Sequence, residues 1–211
     1  MHSNELLYER MFSNALPRFE VENRFYPVKS AASYSLLYLI LRIVTELPVK
    51  SVLELGAGQT SLLLDGLATR YDLDVMTAEH DERWINKMQQ QVAHTIHHVP
   101  LTNKTLHGYS SEVYDFSLLS LPASIDFILV DGPIGRRSKS RWGCLDLIPS
   151  LLAEDFVLIF DDAERKGELE TIAEVLKILD AQGRTYSVGV TESIHSQVLI
   201  AGGRYVEAAY Y

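Results

Sequence analysis

Short runs of apolar residues recur along the chain from residue 52 onwards, and longer stretches of mixed polarity separate them. Continuous apolar runs of this length are typical of strands that are buried on both faces of a parallel sheet, and the longer stretches fit the helices that connect such strands. The pattern therefore predicts an α/β fold. The predicted strands are residues 52–55, 74–78, 96–99, 127–130 and 157–160.

Helical spacing of apolar residues fills most of the stretches between these strands. The last stretch is the clearest, because its leucine and isoleucine residues form one apolar face and Gly183 follows as a residue that ends helices. The predicted helices of this part of the chain are residues 61–69, 81–92, 145–152 and 169–179.

The C-terminal part departs from the alternation of strand and helix. Residues 185–190 and 197–201 both have strand-like patterns, and the short segment between them leaves no room for a helix, so we expect an antiparallel hairpin. Residues 102–124 have an irregular pattern that predicts no regular element. Together these features predict a Rossmann-like, doubly wound, mostly parallel seven-stranded sheet that ends in an antiparallel hairpin.

Before the first strand the chain is helical in character. A short amphipathic helix is followed by a longer predicted helix over residues 30–47, which Ser30 caps and Pro48 stops. Residues 1–49 are therefore expected to form an N-terminal helical cover of the same domain, and residues 50–211 are expected to form its main body.

Composition narrows the classes of function. The chain has 211 residues, a formal net charge of −9 and a single cysteine, Cys144. An acidic chain disfavours nucleic acid as a partner, because phosphate binding needs a dense field of lysine and arginine. The most apolar run is too short to cross a bilayer, and one cysteine forms no intramolecular disulfide. We expect a cytoplasmic protein with neither nucleic acid nor membrane as a partner.

Two glycines, Gly56 and Gly58, lie between the first predicted strand, which contains Glu54, and the helix that begins near Ser61. In this position glycines let the backbone turn tightly and approach a ligand closely. Ser61 replaces the third glycine of the dinucleotide-binding pattern, so a cofactor without phosphate fits better than a pyrophosphate. Glu79 ends the second strand about twenty residues later, where an acid can accept hydrogen bonds from ribose hydroxyls.

Residues 52–61, Glu79 and the C-terminal hairpin together resemble the class I S-adenosylmethionine-dependent methyltransferases. The resemblance covers residues 50–201 and implies S-adenosylmethionine as cofactor. It implies that the glycine loop contacts the methionine portion, that Glu54 holds this portion through water or main chain, and that Glu79 binds the ribose. The candidate cofactor-binding residues are Glu54, Gly56, Ala57, Gly58, Thr60, Ser61, Glu79, His80 and Asp131.

Three acids follow the fourth and fifth predicted strands: Asp131 after the fourth, and Asp161 and Asp162 after the fifth. Ligands of open α/β sheets bind at the carboxyl ends of the strands, so these acids should converge beside the glycine loop. In metal-dependent O-methyltransferases, which this part resembles, acids at these strand ends bind a divalent ion. The three acids are therefore candidate metal ligands, with helix capping as the alternative role.

A stretch of about forty residues resembles the methyltransferases that act on uronic-acid-bearing plant polysaccharides. This resemblance implies that Arg141 and Arg165 recognise an acidic sugar, because the guanidinium group fits a carboxylate at two points. The neighbouring Arg136, Arg137 and Lys139 are interpreted as solvated loop residues. The residues that match the pattern are Asp131, Pro133, Gly135, Arg141, Asp162, Arg165 and Glu168.

The sequence thus predicts a methyltransferase that acts on a hydroxyl of a small molecule or sugar, with an acidic acceptor as the more specific hypothesis. The catalytic candidates are Asp131, Asp161, Arg141 and Arg165, and His195 is a further candidate general base. The alternatives are a catalytically silent protein of the same fold that binds a cofactor or a partner, and a nucleotide-linked oxidoreductase. Candidate walls of a substrate pocket are Tyr109, Tyr114, Phe116 and Trp142.

Overall fold

The computed structural model describes residues 3–27, 31–134 and 139–211. The α-helices in these residues are α1 Ser3–Ala15, α2 Tyr34–Glu46, α3 Gln59–Tyr71, α4 Glu82–Met88, α5 Ile148–Leu151 and α6 Lys166–Ala181. The strands are β1 Ser51–Leu55, β2 Asp74–Glu79, β3 Ile96–His98, β4 Leu101–Leu106, β5 Tyr109–Tyr114, β6 Ile125–Val130, β7 Leu152–Phe160, β8 Tyr186–Glu192 and β9 Ser196–Gly202. Short 3-10 helices occupy Leu16–Phe19, Phe116–Leu118, Trp142–Asp146 and Gly203–Tyr210.

Within the described residues, seven strands form one sheet in the order β3-β2-β1-β6-β7-β9-β8. The first five strands of this order pair in parallel, and β9 pairs antiparallel with both β7 and β8. The mostly parallel sheet with a C-terminal hairpin is confirmed. Strand order reverses between β1 and β6, and ligands of open sheets bind in the crevice at such a reversal.

Hydrophobic clusters cover both faces of this sheet. One cluster joins α1, α2 and α3 to strand residues such as Val52 and Phe127, and the other joins α6 to residues such as Leu53 and Ile128. Successive strand residues point to opposite faces, which explains why the buried strands read as continuous apolar runs. The N-terminal helices share their core with the sheet. Of the helices in the described residues, none has the length and apolar character that crossing a membrane requires.

Helix α2 begins later than the sequence pattern predicted. Ser33 is its cap, and the Ser33 hydroxyl accepts a hydrogen bond from the Leu36 N–H at 3.3 Å. The predicted cap, Ser30, lies outside the described residues. The helix ends at Glu46, before Pro48 as expected.

A second, two-stranded sheet formed by β4 and β5 lies where no regular element was predicted. His107 and Gly108 connect the strands with φ angles of 49° and 73°. Two-residue hairpin loops favour turns with positive φ at both positions. The prediction of an irregular segment was wrong because much of this hairpin is exposed, so its strands carry little apolar alternation.

The helix predicted over residues 145–152 was wrong in its extent. A 3-10 helix at Trp142–Asp146 precedes the single-turn α5, in which Pro149 lies at the N-terminal end. Proline is tolerated there because the first helical N–H groups need no partner within the helix. Leu152 belongs to β7 and pairs with Ile125 of β6, so this residue lies in the sheet and not in the predicted helix.

Candidate functional site

The two glycines of the loop after β1 have different surroundings. Gly56 has a φ of 97°, and a Cβ atom there would lie 2.9 Å from the main-chain N of Gly132. Gly56 therefore lets the loops after β1 and β6 touch, and a side chain would strain the backbone and break this contact. A Cβ atom on Gly58, by contrast, would meet nothing within 4 Å. Gly58 thus borders open space beside the loop.

Glu54 is fully buried at the end of β1. Its Oε2 atom accepts hydrogen bonds from the hydroxyls of Ser61 and Thr77, at 2.6 and 2.7 Å. Within the described residues, Glu54 Oε1 and Thr60 Oγ1 are buried and make no well-formed hydrogen bond, although the Thr60 hydroxyl lies close enough to Glu54 to lower its pKa. Burial raises the pKa of Glu54 to about 7. Unpartnered buried polar atoms are costly, so these two atoms indicate the place of a polar ligand.

Glu79 lies at the end of β2 and joins the glycine loop to the start of α4. Its Oε2 accepts a hydrogen bond from the Ala57 N–H at 3.1 Å, and its Oε1 accepts from the N–H groups of His80 and Asp81 at 2.6 and 2.9 Å. Burial raises the pKa of Glu79, but hydrogen bonds from His80, Asp81 and Ala57 outweigh burial and lower it below its ordinary value. An ionised carboxylate in a fixed orientation suits ribose hydroxyl donors.

The three acids singled out in the sequence meet in the structure. Carboxyl oxygens of Asp131, Asp161 and Asp162 lie within 4.8 Å of one another, just beyond the ends of β6 and β7. Arg141, which is 3% exposed, lies among them. Its Nη2 atom donates to the carboxylates of Asp131 and Asp162 at 3.2 and 2.6 Å. Arg141 is thus a buried partner of the acids and does not present its guanidinium to solvent.

The protonation of this cluster depends on burial. Burial and the neighbouring Asp161 raise the pKa of Asp131 well above its usual range, and Arg141 opposes the shift. Burial also raises the pKa of Asp161. The Asp131 side chain is 25% exposed and that of Asp162 is 9% exposed, so Asp131 lies nearer to solvent. Interacting acids titrate together, and such a group can exchange a proton with a bound molecule.

His195 lies in the connection between β8 and β9, beside the acids. Its Nδ1 atom is 3.3 Å from Asp162 Oδ1 and 3.2 Å from Glu164 Oε1. Burial lowers the pKa of His195, but the hydrogen bond with Glu164 and the charge of Asp162 outweigh burial and raise it. In the part of the chain that the structure describes, no hydrogen bond involves Nε2. Carboxylates that hold Nδ1–H leave Nε2 basic, which is the arrangement of a general base.

A buried hydrogen-bonded chain links the acids to the start of α2. Gln197 is fully buried, and its Nε2 donates to Asp161 Oδ1 at 2.7 Å and to Ser33 Oγ at 3.2 Å. The Ser35 hydroxyl donates to Gln197 Oε1 at 2.8 Å and is 2.7 Å from Ser33 Oγ. Asp161 is therefore oriented from the N-terminal part of the chain.

The remaining cations differ from one another in exposure. The Arg165 side chain is 42% exposed, and its Nη1 forms an ion pair with Asp162 Oδ2 at 2.8 Å. Lys139 was interpreted as a solvated residue, and this was wrong. Its ammonium group lies 4.4 and 4.1 Å from the ring centroids of Tyr109 and Trp142, because the β4–β5 hairpin packs against it. The predictions for Gly135, Arg136 and Arg137 concern positions outside the described residues.

The structure adds two aromatic residues that sequence reasoning had not connected to the cofactor region. The Trp84 indole N–H donates to the Ala57 carbonyl at 2.7 Å. Tyr114, an expected pocket wall, is buried, and its hydroxyl has no partner among the described residues. A Cβ atom on Gly132 would lie 2.6 Å from that hydroxyl, so Tyr114 faces the loop after β6. Neither contact has a local signal, since both join residues far apart in sequence.

Comparison with known proteins relates this geometry to a fold. No family model and no curated protein sequence matches the chain. An O-methyltransferase from Bacillus cereus in complex with S-adenosylhomocysteine is similar in structure, with a TM-score of 0.55, 13% identity, and coverage of 97% of this chain and 92% of that one. An S-adenosylhomocysteine-bound methyltransferase from Podospora anserina has a TM-score of 0.55, 12% identity, and coverage of 96% and 89%.

A precorrin-6y C5,15-methyltransferase from Geobacter metallireducens has a TM-score of 0.52, 12% identity, and coverage of 89% of this chain and 96% of that one. Identities this low establish the fold alone. The chain has the Rossmann-like fold of class I methyltransferases, as the sequence resemblance predicted.

Proposed function

We propose that this chain transfers a methyl group from S-adenosylmethionine to an oxygen nucleophile. The observation that supports this cofactor is the buried pair of Glu54 Oε1 and Thr60 Oγ1, which make no well-formed hydrogen bond with the described residues. The open space at Gly58 lies beside them, because the Gly58 N–H donates to the same Ser61 hydroxyl that binds Glu54. A carboxylate acceptor and a hydroxyl donor suit the ammonium and carboxylate groups of an amino-acid portion.

Glu79 supports the same cofactor. Its ionised carboxylate, held by Ala57, His80 and Asp81, accepts hydrogen bonds from ribose hydroxyls and repels a phosphorylated ribose. S-Adenosylmethionine, when bound, supplies an electrophilic methyl group. The chain must then hold the acceptor hydroxyl and take its proton.

His195 takes this proton in the proposed reaction. Nδ1 is held by Asp162 and Glu164, so Nε2 is the basic nitrogen. Asp131 is the alternative base, since its side chain is 25% exposed and that of Asp162 is only 9% exposed. Asp161 acts through orientation, because Gln197 fixes one of its carboxyl oxygens.

The proposed acceptor is a small molecule or sugar that carries a negative charge near the methylated hydroxyl. Arg165 is the cation that fits this task, because its side chain is 42% exposed, whereas that of Arg141 is 2% exposed. Arg141 is accordingly proposed as a positioning residue for the acids and not as a direct contact of the acceptor.

Thermal unfolding tests the cofactor. S-Adenosylhomocysteine should raise the melting temperature and NAD should not, because a ligand that binds only the folded state stabilises it, by about 2.7 kcal/mol at a concentration of 100 Kd. Equal shifts with both ligands, or none with S-adenosylhomocysteine, would reject the proposed function.

The affinity for S-adenosylhomocysteine should rise with pH up to about pH 7. The pKa of buried Glu54 is raised to about 7, so below this pH the ligand's ammonium group must displace a proton, at a cost of up to about tenfold in affinity per pH unit. The folding stability of the free protein changes with pH in the opposite direction. The stability that neutral Glu54 contributes is full below the unfolded-state pKa and is lost as pH rises through 7.

Calorimetric titration between pH 5.5 and pH 8 measures this dependence. Glu54→Gln keeps the shape of the side chain and removes the ionisation, so its affinity should be lower at pH 7 and nearly flat with pH. A wild-type affinity that does not change over this range would remove Glu54 from the ammonium site.

Arg165→Ala should lower kcat/KM for an acidic acceptor by about twofold to fivefold, since partly exposed ion pairs contribute modestly. The measurement is a comparison of acidic and neutral hydroxyl compounds with labelled cofactor. Arg204→Ala is the matched control, because Arg204 is an exposed arginine that pairs with Asp155 at 2.7 Å, near the opposite end of β7. Best activity on neutral acceptors would refute the charged acceptor and leave methyl transfer in place.

A further inference from the structure

The cluster of Asp131, Asp161 and Asp162 has the acids of a divalent-ion site but also contains a cation of its own. Hard divalent ions bind carboxylate oxygens at about 2.0–2.6 Å. Whether an ion fits depends on which of these oxygens are free to ligate it and on what lies beside them.

Arg141 occupies the space between the two strand ends. Its Nη2 donates to the main-chain carbonyl of Asp131 at 2.9 Å and to the carboxylates of Asp131 and Asp162 at 3.2 and 2.6 Å. Its Nη1 donates to the main-chain carbonyl of Asp161. One guanidinium group therefore bridges β6 and β7 through both main-chain and side-chain oxygens.

Other side chains also contact these acids, while Asp131 Oδ2 accepts no hydrogen bond from the described residues. Gln197 Nε2 donates to Asp161 Oδ1 at 2.7 Å, and Arg165 Nη1 lies 2.8 Å from Asp162 Oδ2, the oxygen that Arg141 also contacts. An ion in contact with Asp162 Oδ2 would lie no more than about 5 Å from Arg141 Nη2, where two cations repel strongly in a buried site. An ion held by these three acids would lie beside the Arg141 guanidinium, so the cluster fits a divalent ion poorly.

We propose that Arg141 supplies the positive charge that a divalent ion would otherwise bring to these three acids, so that the wild-type chain binds no ion through Asp131. Arg141 then holds Asp131 and Asp162 in place without a metal. The relevance of this arrangement to methyl transfer rests on the proposed function, but its test measures metal binding and needs no acceptor.

The test titrates Mn²⁺ into the wild type, Asp131→Asn and Arg141→Ala, and follows free Mn²⁺ by electron paramagnetic resonance. The wild type should show no binding that Asp131→Asn removes. Arg141→Ala leaves three acids without their buried cation, so its affinity for Mn²⁺ should rise at least about 100-fold, and Mn²⁺ should raise its melting temperature. Arg165→Ala is the control, because it removes a cation from Asp162 and leaves Arg141 in place.

Mn²⁺ binding by the wild type that Asp131→Asn abolishes would overturn the proposal, and so would a folded Arg141→Ala that gains no affinity. Binding that survives Asp131→Asn and is lost in Glu164→Gln belongs to the neighbouring group of Asp162, Glu164 and His195, and is consistent with the proposal. If Arg141→Ala does not fold, the comparison of Mn²⁺ binding between the wild type and Asp131→Asn still tests the proposal. A thermal shift with S-adenosylhomocysteine in the same wild-type sample reports separately on the proposed function.

Discussion

Gly58→Val should abolish the thermal response to S-adenosylhomocysteine while the chain stays folded. A side chain at this position meets no protein atom within 4 Å and has an extended φ of −178°, so the backbone is not strained. The space it fills is the space assigned to the methionine portion of the ligand. Affinity should fall at least about 100-fold, which corresponds to about 2.7 kcal/mol. Calorimetric titration and circular dichroism measure binding and folding separately.

Two other glycines provide the controls for this substitution. Gly66→Ala lies within α3, the helix that follows Gly58, and places its Cβ 3.4 Å from Val21, an ordinary contact, so it should bind as the wild type does. Gly56→Val should lose binding for a different reason. Gly56 has a φ of 97°, and a Cβ there would lie 2.9 Å from Gly132, so this variant should not fold. Wild-type affinity in a folded Gly58→Val would place the ligand elsewhere.

His195→Asn should lower kcat by about 10²- to 10⁴-fold, the usual contribution of a general base, and should leave the affinity for S-adenosylhomocysteine unchanged. The wild-type rate should rise with pH and level off above the raised pKa of His195, because only the neutral ring accepts a proton. Glu164→Gln should move this rise to lower pH, since it removes the hydrogen bond that raises the pKa most. Rates against pH with an identified acceptor provide the measurement.

His98→Asn is the matched control for this prediction. Its Nδ1 lies 3.5 Å from Glu82 Oε1, so it is also a histidine beside a carboxylate, but it lies at the end of β3. The control should keep the wild-type rate and pH profile. A full rate in His195→Asn, with the pH dependence intact, would transfer the role of base to Asp131.

The sheet and the glycine loop were predictable from sequence because their signals are local. Strands buried on both faces are mostly apolar, so β1, β6 and the C-terminal half of β7 were predictable from the sequence. The turn after β1 needs a residue with positive φ, and Gly56 supplies it. The convergence of Asp131 with Asp161 followed from the same topology, since adjacent parallel strands end at the same edge.

The partners of these acids were not predictable, because they depend on distant side chains. Arg141 looked like one of four cations in a loop, and only its burial against Asp131 and Asp162 separates it from the others. Gln197 lies on a strand whose pattern predicts only sheet, although its amide binds Asp161. The β4–β5 hairpin was missed because exposed strands carry no strong apolar alternation.

The chain of hydrogen bonds from Ser33 and Ser35 through Gln197 to Asp161 has a consequence for protein engineering. Residues 1–49 cannot be exchanged freely as a module to change acceptor specificity, because a transplanted segment without Ser35 would leave Gln197 Oε1 without its hydrogen-bond donor in the interior. Compensating changes would have to be designed on α2 and β9 together. A chimeric variant should therefore take its N-terminal helices and its acids from the same parent chain.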